Sequence, residues 1–520
     1  MIAQLTQPFN GWRTAVAHLL HRPAPPSSRT GVLGPLGGPR PLPLAHPDAS
    51  LPAFVTACPI ARKYRGLLGA LDWAHFPERP TDRPWPGPQP ARRAPFVAAY
   101  LVKLHEGKPS MGQLRRFLLE HPALVWLLGF PLVPDPTAPQ GFDVAASVPT
   151  RRQFNRVLRE LPNAALQFLL DSTVATIRAS LSPEQQATFG AVIAGDTKAI
   201  LAWVRENNPK QYIKEGRFDK TKQPRGDPDC KLGVKQRRNT PPETDAAGDV
   251  APPTLAQVAQ PASTLQGGVD ILWGYASGVV ATKIPDVGEV VLAERTRPFN
   301  ESDISYFFPL MAATERRLGR RPPFGAWDTA FDAFYVYEYF HLAGGFAAVP
   351  FGEGNHRGRR QFDPAGLPLC AAGLAMPLKF TYQHRTDLVP HERGKHVCPL
   401  LHPQPRGTAC PIADPHFAKG GCTTTIATSV GARIRHQLDR ESEQYKQIFN
   451  QRTATERINS LAKELGIERP KLRNQRAITN QNTLIYVLLN LRLLQRIQAR
   501  PREEPPVMDG LTRTHQPLAA

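Results

Sequence analysis

Four residues near the C-terminus, Phe449, Arg452, Glu456 and Lys463, lie three, four and seven positions apart. In a helix those steps put all four on one face. A carboxylate between two cations suits a site that holds a metal and grips phosphate. Behind them Ala454, Ile458, Leu461 and Leu465 repeat at helical spacing, which predicts a core-facing stripe, and Gly466 stands where a C-terminal cap would. Two acidic residues lie far upstream. Asp196 interrupts the apolar run F-G-A-V-I-A-G-D-T-K-A-I-L-A-W-V, and Asp328 ends the run P-F-G-A-W-D. Each run reads as a buried strand, where a lone charge is costly unless it is paired or bound to a metal. Asp332 is the nearest rival to Asp328, and it better fits the N-cap of the aromatic-rich helix that follows. Singly, these residues also fit a solvated helix face, a cap or a surface turn. The whole set in this order is a more demanding pattern.

The run F-N-Q-R-T-A-T-E-R-I-N-S-L-A-K resembles the Y-x-x-R-x-x-x-E-x-x-x-x-x-x-K signature of DDE transposases from bacterial insertion sequences, with Phe449 where that family has Tyr. Asp196 and Asp328 match the family's first and second carboxylates. The resemblance spans roughly 95–498. It implies a transposase that cuts DNA at the ends of a mobile element and joins them to a target. Asp196, Asp328 and Glu456 would be the catalytic residues and the ligands of magnesium, with manganese as its substitute. The implied chemistry is in-line attack on a phosphodiester, first by water and then by a DNA 3′-hydroxyl. Two metal ions serve such a reaction, with Asp196 bridging them and Asp328 and Glu456 each completing one site. Arg452 and Lys463 would hold phosphates. Phe449 keeps a ring for packing or stacking but lacks the hydroxyl of the family's Tyr. DNA, both element ends and target, is the implied partner, bound by a homodimer.

The elements that must position these residues follow in order. Strand signals at Asp196, in V-D-I-L-W-G-Y-A-S-G-V-V-A-T-K-I-P and in E-V-V-L-A-E-R precede a helix capped by Asn300 that runs through Arg317. The Asp328 strand, a helix and the strand F-A-A-V-P-F come next. With the Glu456 helix this order predicts an α/β, ribonuclease-H-like catalytic core over 186–498. Upstream, 95–185 reads as a helical domain. Val97, Tyr100, Leu101 and Leu104 keep helical spacing, Ser110 can cap the next helix, and Pro122 starts a short one. Thr150 caps R-R-Q-F-N-R-V-L-R-E-L, which buries Phe154, Val157, Leu158 and Leu161 and leaves Arg151, Arg152, Arg156 and Arg159 on its other faces. This domain resembles the part of the family that binds element ends, so Arg151, Arg152 and Arg156 are expected DNA contacts. Residues 1–94 are Pro-rich and read as extended, partly disordered linkers around a small helical piece near Cys58 to Trp73.

Within the core, 207–267 reads as a basic, partly disordered loop. Its Lys- and Arg-dense part, Asn207 to Arg238, interleaves Tyr212 and Phe218 in the manner of nucleic-acid channels. Residues 355–442 form an insertion before the Glu456 helix. It holds Cys370, Cys398, Cys410 and Cys422 with His384, His391, His396, His402 and His416. Thiolates and imidazoles can bind tetrahedral zinc, but there is no C-x-x-C pair, and free buried thiols are the commoner outcome. The tail 499–520 reads as disordered.

Composition narrows the partners. Lys plus Arg total 64 against 44 Asp plus Glu, a net charge of +20, which suits a polyanion. No basic amphipathic helix with a large apolar face, no signal-peptide core and no bilayer-length apolar run is evident, so the expectation is a cytoplasmic protein without a membrane partner. Three alternatives stay open. One is another ribonuclease-H-like nuclease such as a resolvase, the second a non-catalytic DNA-binding descendant of a transposase, and the third a basic scaffold.

Overall fold

A computed structural model describes residues 40, 42–46, 48–79, 91–208, 217–236, 269–352, 359–385, 388–406 and 409–499. The readings placed on the rest of the N-terminal segment, on Tyr212, on most of the 207–267 loop and on the tail beyond 499 lie outside the described residues.

The chain first builds a helical layer: α1 (Pro59–Leu68), α2 (Ala94–His105), α3 (Met111–Leu119), α4 (Pro122–Leu127), α5 (Arg151–Glu160) and α6 (Asn163–Ala179). Its helix starts follow local chemistry. Ser110 Oγ accepts from the Gln113 N–H, and Thr150 and Gln153 form a reciprocal capping box at the head of α5. Phe154 and Leu158 bury one face of α5, while Arg151, Arg152, Arg156 and Arg159 are exposed. The expected helical piece near Cys58 to Trp73 is α1, with Tyr64 and Leu67 buried, but the Pro-rich run before it differs from a linker where it is described, because its Leu42 and Leu44 are buried in the main core. Proline fixes the backbone but does not stop its apolar neighbours from packing.

The central sheet follows, from β1 (Val192–Leu201), β2 (Lys231–Gln236), β3 (Val269–Ile284), β4 (Gly288–Pro298), β5 (Phe324–Ala326) and β6 (Phe346–Ala348). Its path is β2-β3-β1-β5-β6, with β4 also paired to β3. β1 and β4 run antiparallel to β3, whereas β1, β5 and β6 are mutually parallel. Helix α7 (Phe307–Leu318) links β4 to β5, and α8 (Phe334–His341) links β5 to β6. The expected helix start at Asn300 falls later: Ser302 precedes a short 3₁₀ turn, and the α-helix begins at Phe307. Both faces of the sheet are covered, which suits its near-continuous apolar strands. Tyr275, Val279 and Ala281 of β3 join the core shared with the helical layer, while Ala276 and Val280 join the aromatic core around Phe307, Trp327 and Phe340.

Residues after β6 form a second, three-stranded antiparallel sheet, β9-β8-β7, from β7 (Leu378–His384), β8 (His391–Val397) and β9 (Thr423–Ala427). Four helices close the described chain: α9 (Val430–Gln437), α10 (Glu443–Phe449), α11 (Thr453–Glu464) and α12 (Gln475–Gln498). α12 packs against α6 and β4 and joins the helical layer to the sheet through buried amides. Asn480 donates to the carbonyls of Leu158 and Leu161, and Asn490 to Thr173 and the carbonyl of Val291. No described helix is long and apolar enough to cross a membrane.

Candidate active site

Asp196 and Asp328 come together because their strands are parallel neighbours. Ala194 of β1 and Ala326 of β5 are register partners, and each Asp lies two residues further on. Adjacent strands sit about 5 Å apart, so the two carboxylates project side by side just beyond the end of β5, Asp196 from within β1. One position earlier, Gly195 meets Trp327. A Cβ on Gly195 would lie 2.0 Å from the indole, so glycine is what lets this fully buried ring close the strand ends together. Asp328 caps the 3₁₀ turn after β5 by accepting from the Ala330 N–H at 3.1 Å. Burial, and then the negative charges of Asp196 and Asp303, push its carboxyl up to about 6; Arg452 and the Ala330 N–H oppose this.

Asp196 lies on the sheet face that α11 covers. Its Oδ1 accepts from the Thr197 N–H, and its Oδ2 accepts from Asn459 Nδ2 at 2.9 Å. Asn459 is 8% exposed, and its own Oδ1 has no hydrogen-bond partner. Sequence reasoning missed Asn459. Its one signal was its position three residues after Glu456, on the same helical face.

The Phe449–Lys463 segment differs from the single helix expected. α10 ends at Phe449, a 3₁₀ turn covers Asn450–Arg452, and α11 starts at Thr453. The break places Arg452 at the head of α11, beside the ends of β1 and β5. Phe449 stacks on Tyr445 with ring centroids 5.8 Å apart, and the Arg452 guanidinium lies 5.7 Å from the Phe449 ring. The buried stripe is also rotated from the one expected. Ala454, Thr455, Ile458, Asn459 and Ala462 are buried, while Leu461 and Leu465 are only half-buried.

Glu456 is 48% exposed and sits 3.6 Å from Arg452 Nη2. It shares the face of Arg452 and Asn459 but is not gathered with the two aspartates. Among the described residues no group of three or more His, Cys, Asp or Glu is close enough to hold a metal ion. Lys463 is 65% exposed and pairs with Glu468 at 3.6 Å, and Glu468 also takes Lys198 at 2.8 Å. Arg452 Nε is buried without a hydrogen-bond partner.

Asp332 is not a helix cap: Ala333 occupies that position without a side-chain bond. Its buried carboxylate instead accepts from both Arg435 Nε and Nη2, at 2.8 and 2.6 Å, from the Tyr337 hydroxyl and from the Gly352 N–H. That is a structural ion pair, saturated by its own neighbours. In the insertion, Cys398 and Cys422 immediately follow and precede the register pair Val397–Thr423, so they face each other across β8 and β9. Burial and the nearby Cys398 and Cys370 thiols push the Cys422 thiol up to about 12. All four cysteines of the insertion, Cys370, Cys398, Cys410 and Cys422, are free thiols. No protein-family model and no curated protein matches the chain.

Proposed function

We propose that this chain is a metal-dependent DNA transposase built on a ribonuclease-H-like core, cutting and joining strands at the Asp196–Asp328 pair. The observation that carries the reading is that pair: two carboxylates held side by side on adjacent parallel strands, one within β1 and one just beyond β5, the latter pushed up to about 6 by burial and its neighbour's charge. Two carboxylates forced together without a cation repel, so the site suits a divalent ion with hard oxygen ligands. The sheet order supports the same core, with β1, β2 and β4 all antiparallel to the long central β3 and two parallel strands added beyond β1 through α7 and α8.

Asp196 and Asp328 would hold magnesium or manganese; Glu456, exposed on α11 beside Arg452, stands apart from them and would have to approach to serve as the third carboxylate. When bound, the metal lowers the pKa of an attacking water or hydroxyl and neutralises charge on the phosphate. Asn459 fixes one oxygen of Asp196 and so sets the direction of the other. Arg452 has an unmet buried donor and lies within electrostatic reach of Asp328, where it can grip a phosphate beside the cut. The exposed arginines of α5 offer a separate cationic surface for flanking DNA.

A strand-transfer assay tests this reading. Linear DNA ending in the borders of this protein's own reading frame is incubated with a supercoiled plasmid and magnesium. Joined products dependent on protein and metal are expected. Cleavage without joining would favour a nuclease of the same fold, and neither product would remove the enzymatic reading.

A further inference from the structure

We propose that the cleft at the far end of β1 binds an unpaired nucleotide of the DNA strand, with its base on Trp203 and its phosphates on Arg205, Arg469 and Arg473. This rests on the reading of the chain as a DNA-processing enzyme. The cleft has a volume of about 400 Å³, and among the described residues its lining contains three arginines and no acidic residue. That volume falls within the ~300–1,000 Å³ usual for small-ligand sites.

Trp203 is 51% exposed, although its neighbours Ala202 and Val204 are buried. Tryptophan is ordinarily among the better-buried residues, so a half-exposed indole in a cationic cleft asks for an occupant. The backbone that presents it is fixed. Asn207 Nδ2 donates to the carbonyls of Ala202 and Trp273, and the Trp273 N–H donates to Asn207 Oδ1. The Arg473 guanidinium lies 4.9 Å from the indole centroid and sets the ring's orientation. An aromatic platform flanked by guanidinium groups is how single-stranded nucleic acid is held without base-specific contacts.

The cleft is also placed on the path to the carboxylates. Asp196 and Leu201 lie on one strand, about 16 Å apart at the usual strand rise. Between them Lys198 pairs with Glu468, which also takes Lys463. The Leu201 N–H donates to the Glu468 carbonyl at 2.8 Å, tying the segment that carries Arg469 and Arg473 to the end of β1. A strand cut at Asp196 and Asp328 would therefore reach Trp203 within a few nucleotides. A paired, stacked base has no free face for the indole, which is why the occupant must be unpaired.

The test uses the full chain with three probes: a single-stranded oligonucleotide carrying 2-aminopurine, the same sequence as a blunt duplex, and deoxyadenosine monophosphate. Wild type should bind the single strand and quench the 2-aminopurine. Trp203→Ala should weaken that binding about tenfold and abolish the quench, Trp203→Phe should retain most of both, and duplex binding should not change. Arg473→Ala, on a different segment, should weaken single-strand binding in the same direction. Unchanged single-strand affinity and quench in Trp203→Ala, with duplex still bound by wild type, would overturn the cleft assignment and leave the DNA reading standing. Mononucleotide binding as tight as that of the oligonucleotide would make the cleft a free-nucleotide site and overturn the assignment. Failure of wild type to bind either DNA would overturn the DNA reading itself, and the inference with it.

Discussion

Asp328→Asn removes one charge from the carboxylate pair and keeps the shape and the acceptor for the Ala330 N–H. An unfolded aspartate titrates near 3.8, and Asp328 in the fold near 6. Below about pH 3 the group is neutral in both states and carries no penalty. Between about pH 4 and 6 the unfolded carboxyl is ionised while the folded one, buried and beside Asp196, still holds its proton; native stability therefore falls across that window and levels off above it. A displacement of this size corresponds to about 3 kcal/mol at most. In metal-free buffer, Asp328→Asn should thus match wild type at about pH 3 and exceed it at pH 7.5, by several degrees in thermal midpoint or the equivalent in urea. Magnesium should raise wild type and close the gap, because only wild type keeps both carboxylates. The assay is a pair of melts at each pH, with and without chelator. An Asp328→Asn protein that is no more stable than wild type at pH 7.5 would refute the argument, since the two carboxylates would then not be pressing on each other.

Three further substitutions probe the supports of the site. Asn459→Ala deletes the donor to Asp196 Oδ2; loss of a hydrogen bond to a charged group costs about 1.5–3 kcal/mol, so cleavage should drop tenfold or more while DNA binding, followed by gel shift, persists. Gly195→Ala drives a methyl into the Trp327 ring and should destabilise by roughly 3 kcal/mol or prevent folding, read as a lowered melting temperature or lost expression. Asp332→Ala strands Arg435 and the Tyr337 hydroxyl, so it should cost about 3–5 kcal/mol in stability. Asp328→Asn should show the opposite pattern, with stability kept and cutting lost. An Asp332→Ala protein that melts like wild type would mean the ion pair is not the structural anchor described.

The strands that carry the two aspartates were legible because a single charge in a short apolar run has few destinations, whereas β2 was not, because its Lys-rich sequence falls in the stretch that reads as a basic loop. The caps at Ser110 and Thr150 were legible because capping is a local bargain between a hydroxyl and a nearby N–H. What stayed hidden depends on distant partners. Asp332 looked like a cap because Arg435, which claims it, lies 103 positions away. Asn459 looked like any polar helix residue until β1 was laid beneath it. The break at Asn450–Arg452 has no proline or glycine to announce it, and nothing local marks the buried asparagines of α12 as the residues that join two layers.

The most direct test of the central claim is strand cleavage of DNA taken from the borders of this protein's own reading frame, in magnesium and again in chelator. Wild type, Asp196→Asn and Asp328→Asn are compared after gel shift has shown that each still binds. Metal-dependent nicking by wild type and none by either variant is the result predicted here. Nicking that persists in a purified Asp196→Asn or Asp328→Asn protein, or that ignores the chelator, would contradict the assignment of these carboxylates as the metal-holding centre.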